Sequence, residues 1–118
     1  MGDAARLFAL ANLPAADSAI TAWESKFHFN YWRPITAIRE GDHDGNPRTD
    51  GDAGWSSLIN TPPYPDYSSG ANNLTGAFTT VLELFFGTDN IAFSVTSNAP
   101  LAVQKTRNYT RFSQAAAE

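Results

Sequence analysis

Apolar positions in the first third of the chain recur at three- and four-residue steps: Leu7, Phe8 and Ala11, then Ala15, Ala19, Ala22 and Trp23. This is the stripe an amphipathic helix turns toward a core. Pro14 interrupts it and predicts a kink or a restart, because proline lacks the backbone donor and crowds the preceding turn. Beyond Pro14 the pattern runs on through Lys26 to about Trp32. Pro34 disfavours helical backbone at the residue before it, which places Arg33 at or near a helix end.

From Gly41 to Pro65 the character changes. Asp42, Asp44, Gly45, Asn46, Pro47, Gly51, Gly54, Pro62, Pro63 and Pro65 all favour turns, and an ordered loop of this length is usually functional. Leu74, Ala77, Phe78, Val81, Leu82 and Phe85 then mark the clearest amphipathic helix, with Gly87 suited to cap it. Asn90 to Pro100 reads as loop or a short extended piece, and Thr106 to Glu118 as helix by composition.

With 118 residues, 42% of them hydrophobic and 17% charged, the chain is of single-domain size and of globular composition. Its net charge of −4 offers no general attraction to nucleic acid or anionic membranes, so an anion site has to be local. The absence of cysteine excludes disulfides and thiolate metal sites. No apolar run approaches a spanning helix and the N-terminus lacks the pattern of a signal peptide, so the chain reads as soluble, with its compartment open.

Two segments carry candidate chemistry. In Lys26-Phe27-His28-Phe29-Asn30-Tyr31-Trp32-Arg33-Pro34 two cations lie seven positions apart. On a continuous helix that is close to two turns, about 10 Å along one face. Lysine as a point charge and arginine as a planar fork can then converge on one tetrahedral oxyanion; the plainer reading is two solvated ends of an amphipathic helix. In Tyr67-Ser68-Ser69-Gly70-Ala71-Asn72-Asn73 a small polar turn enters the strong helix. Free backbone N–H groups and a serine hydroxyl there make either an anion cradle or an ordinary N-cap.

Taken together these segments resemble the vanadium-dependent haloperoxidases and the type 2 phosphatidic acid phosphatase superfamily that contains them. Lys26, Arg33 and Pro34 match that family's first anion-site motif in full. Trp32 to Arg39, Asp44-Gly45-Asn46-Pro47, Thr61-Pro62-Pro63-Tyr64-Pro65-Asp66-Tyr67 and Phe85-Phe86-Gly87 are similar to bacterial members, so the likeness extends over nearly the whole chain. It implies an all-α fold, a truncated helical bundle forming one partial domain over residues 1–118, with a long irregular loop between the two anion-site motifs. It also implies vanadate as cofactor, peroxide and halide as substrates, or phosphate in a phosphatase-like relative. By the same resemblance Lys26 would polarise the peroxide as the catalytic cation, Arg33 would bind equatorial oxygens, and Ser69 with the Gly70 N–H would complete the cradle for vanadate or phosphate.

The departures are equally specific. The family's second motif is proline-serine-glycine-histidine, and here Ser68-Ser69-Gly70-Ala71 has serine for the proline and alanine for the histidine that assists proton transfer. The third motif, with a second arginine and the histidine that ligates vanadium or attacks phosphate, is expected after a stretch like Thr106 to Glu118, and the chain stops short of it. No histidine ligand to a metal is therefore expected, and weak or absent turnover follows. A haloperoxidase-type enzyme, a phosphatase-like relative and a non-catalytic oxyanion-binding relative all remain open. His28 falls about 200° round the helix from Lys26, among aromatic residues, and reads as a packed aromatic-cluster histidine; His43 reads as a solvated loop residue. Asp42, Asp44, Asn46, Asp50 and Asp52 echo a calcium loop but lack its closing glutamate, so turn formation is the default. A partial bundle leaves apolar faces uncovered, which predicts self-association or marginal stability.

Overall fold

A computed structural model describes residues 2–118. Its elements in chain order are α1 (Asp3–Phe29), α2 (Pro34–Arg39), a single 3-10 turn (Gly41–His43), α3 (Gly70–Phe86), β1 (Phe93–Thr96), β2 (Thr106–Tyr109) and α4 (Phe112–Ala117). The architecture is helical, as expected, with one small antiparallel hairpin added. No helix among the described residues is long and apolar enough to cross a membrane. The chain divides into two compact units, one of residues Glu24–Ser68, the other of the stretch up to Trp23 together with Ser69–Glu118.

Of the kink or restart expected at Pro14, the restart does not occur: α1 runs through the proline. Ala11 and Ala15, on either side of the proline, are both buried; packing of that stripe outweighs one lost backbone hydrogen bond. The end of α1 is also earlier than predicted. Asn30 adopts φ 49° and donates its backbone N–H to the Lys26 carbonyl. Asparagine tolerates this left-handed cap, so the helix closes at Phe29 and never reaches Trp32. Pro34 then opens α2 at its first position with Arg33 as N-cap, where proline's fixed φ suits a helix start.

In the unit that holds the chain's two ends, α1 and α3 run antiparallel. Arg6 lies 5.7 Å over the Phe85 ring near one end, and Gly70 sits against Trp23 near the other. A Cβ on Gly70 would come within 2.7 Å of Trp23 Cζ3, so any larger residue here would force the indole ring to shift. Gly87, at φ 68°, closes α3 and donates to the Glu83 carbonyl.

The stretch read as helical from Thr106 is a strand first and a helix only from Phe112. Phe93 pairs with Tyr109 in the hairpin register, and their rings stack at 5.1 Å. Cross-strand aromatic and β-branched pairs stabilise such a ribbon more than local helix propensity opposes it. Phe112, only 4% exposed, meets Phe93 and Phe86 and forms the local core. Asp89 fastens α4 by accepting from the Ser113 amide and hydroxyl at 2.8 and 2.6 Å.

Candidate oxyanion site

The Glu24–Ser68 unit is organised by short-range polar contacts rather than by a large core. Asp42 Oδ1 accepts from the Gly51 amide, Asp44 Oδ1 from the Asn46 amide and Asp52 Oδ1 from the Gly54 amide. Each of these carboxylates is thus engaged in closing a turn. Among the described residues no cluster of His, Cys, Asp or Glu is arranged to hold a metal ion. Arg39 ties the loop to α2 by donating from Nε to the Trp55 carbonyl at 2.8 Å, and the Asp52 amide donates to the Ile38 carbonyl.

Lys26 and Arg33 come together, though not by the geometry their spacing suggested. They do not share a helix face, since α1 stops at Phe29 and Arg33 caps α2. Both instead reach the extended segment Tyr64-Pro65-Asp66. Lys26 Nζ donates to the carbonyls of Pro65 at 3.4 Å and Asp66 at 3.3 Å. Arg33 donates from Nε to the Tyr64 carbonyl at 2.9 Å and from a terminal nitrogen to the Pro65 carbonyl at 3.3 Å. The Tyr64 ring faces both cations, with Lys26 Nζ 5.4 Å and the Arg33 guanidinium carbon 4.9 Å from its centroid. The other terminal nitrogen of Arg33 lies 3.6 Å from Asp66 Oδ1. Prolines at 63 and 65 disfavour helical backbone at the residues before them, which leaves the carbonyls of this segment outside any helix and open to side-chain donors.

The two cations differ in access. Lys26 is 3% exposed, on the same side of α1 as the buried alanines, its charge met by carbonyl oxygens and an aromatic face. Arg33 is 20% exposed along its side chain. With Asp66, Trp55, Asn60 and Thr61 it lines an open cleft of about 290 Å³. Tyr64, Pro65 and Asp66 enter the sequence reading as part of the family-like stretch Thr61 to Tyr67, but nothing there marks them as partners of Lys26 and Arg33.

Ser69 and Gly70 belong to the other unit. Ser69 is the N-cap of α3 and accepts from the Asn72 amide at 3.3 Å, while Gly70 lies close against the Trp23 ring. His28 is exposed, meeting the Phe29 ring edge-on at 4.9 Å, and is not packed within a cluster as expected. The turn past Phe29 carries Tyr31 away to stack on Phe29 and meet Tyr67. His43, 79% exposed, lies in solvent with Nδ1 3.4 Å from Glu40.

The fold is helical, with two cations converging on one strap of chain. The model of the VCPO second helical-bundle domain matches residues 6–118, so the chain belongs to that family of helical-bundle domains. It is similar to the vanadium chloroperoxidase of Curvularia inaequalis, with 39% identity over 85 residues, covering 64% of this chain. The match spans only 13% of that relative's length. No solved structure matches the chain.

Proposed function

We propose that this chain binds a tetrahedral oxyanion, vanadate or phosphate, with Arg33 and Lys26 as its cations. The observation that carries the reading is the Pro65 carbonyl, which accepts from both side chains at once. Two cations brought within reach of one oxygen atom are placed as an oxyanion needs them. In the family that the chain resembles, the positions of Ser69 and Gly70 supply further donors; here they open α3, where a helix dipole favours negative charge.

These donors fit an oxyanion held by charge and hydrogen bonds. They do not include a histidine ligand: His28 and His43 are both exposed and engaged with Phe29 and Glu40 respectively. In the complete haloperoxidases that the chain resembles, vanadate activates peroxide for halide oxidation. Here alanine stands at 71 in place of the motif histidine, so oxyanion binding with little or no turnover is the reading the residues support.

The test is a vanadate titration followed by tryptophan fluorescence, with phosphate as second ligand. Trp32 adjoins Arg33 and Trp55 lines its cleft, so both report on the site. Saturable binding that Lys26→Ala and Arg33→Ala each weaken by about ten-fold or more is expected. No response up to millimolar anion would overturn the reading.

A further inference from the structure

Asp66 is an unexpected neighbour for an anion site. Its carboxylate shares the cleft with Arg33, and Oδ1 lies 3.6 Å from a terminal guanidinium nitrogen. That separation is beyond a hydrogen bond, so the N–H groups on this nitrogen are still available to a ligand. Arg33 is meanwhile held by the Tyr64 and Pro65 carbonyls through its other two nitrogens. The contacts of the Asp66 carboxylate, with Arg33 and with the Tyr67 amide, both fall on Oδ1. An oxyanion docking on the open edge of Arg33 therefore meets a carboxylate beside its cation.

We infer that Asp66 is a specificity-determining residue, which makes the Arg33 cleft select tetrahedral oxyanions that carry a proton over those that do not. The inference rests on the oxyanion reading above. A carboxylate only accepts hydrogen bonds. Against a fully deprotonated anion it presents an uncompensated like charge, whereas a P–OH or V–OH group donates to it and turns the same contact into a charge-assisted hydrogen bond. Phosphate and vanadate retain a proton at neutral pH and sulfate does not. Thr61 and Asn60, which also line the cleft, carry neutral polar groups that suit either kind of anion and do not discriminate.

The experiment titrates the chain with phosphate, vanadate and sulfate at neutral pH and fixed ionic strength, then repeats the series on Asp66→Asn and Asp66→Ala. The native chain is expected to prefer phosphate over sulfate by at least about ten-fold, as sites built around a ligand hydroxyl do. Both variants should bring the ratio close to one, chiefly by admitting sulfate. The ratio is read within one protein, so a general loss of stability does not imitate the effect, and the native preference is itself a test that needs no variant. Equal binding of phosphate and sulfate by the native chain, or an unchanged ratio in both variants, overturns the role of Asp66 and leaves the oxyanion site standing. If none of the three anions binds, the site and the inference fall together.

Discussion

Lys26 and Arg33 donate to one and the same oxygen, the carbonyl of Pro65, at 3.4 and 3.3 Å. The strap that carries this carbonyl is pinned at its far side as well, because the Asp66 amide donates to the Tyr31 carbonyl at 2.9 Å. Cations and strap therefore hold each other: the carbonyls fix both charged groups, and the charged groups fix an otherwise irregular piece of chain.

Lys26→Met should accordingly cost stability as well as anion binding. Methionine can fill the buried stem's space but leaves the Asp66 carbonyl without its donor, a loss of about 1–3 kcal/mol. Urea denaturation measures it, and an unchanged midpoint would show that the strap does not depend on Lys26.

Gly70→Ala tests the approach of α3 to α1. The added Cβ would lie 2.7 Å from Trp23 Cζ3, and overpacking of this kind costs about 1–3 kcal/mol. A lower midpoint together with a shifted tryptophan emission is expected; Gly76→Ala, where a Cβ meets nothing within 4 Å, is the control.

The attachment of α4 should weaken in acid. Hydrogen bonds from the Ser113 hydroxyl, then from its amide, hold the Asp89 carboxyl below its ordinary value, against a smaller upward push from desolvation. A carboxyl depressed in the folded state stabilises it above the unfolded pKa, and that contribution is lost as pH falls through the folded one. Thermal melts from neutral pH down to about 3 should therefore fall more steeply for the native chain than for Asp89→Asn. Parallel curves would show that Asp89 makes no net contribution. The group is at the surface, so the effect is small.

We expect self-association through α1. Leu13 and Ile20 lie two turns apart on one side of it and are 67% and 66% exposed, and a second copy of the chain is an apolar partner for that face. Sedimentation velocity should show concentration-dependent oligomers that Leu13→Glu with Ile20→Glu disperses. A native chain monomeric at every concentration would refute the expectation.

Much of this protein was legible in the order of its residues. The apolar periodicity of Leu74 to Phe85 specified α3, and Gly87 its end, because helical spacing and a left-handed cap are local properties. The match of Lys26, Arg33 and Pro34 to one motif, with alanine at 71, located the candidate cations and the missing histidine. Local signals failed where distant packing prevailed. Pro14 did not break α1, and Thr106 to Tyr109 became a strand because Phe93 was available to pair with Tyr109.

The sequence by itself determined which groups could bear charge toward an oxyanion. Only the tertiary structure decided how they meet. Helical spacing put Lys26 and Arg33 on one face; the Asn30 cap ended that helix, and convergence came from a segment more than thirty residues away in sequence. Carbonyl direction in Tyr64-Pro65-Asp66, and the carboxylate Asp66 brings beside Arg33, depend on long-range backbone contacts that no local pattern encodes.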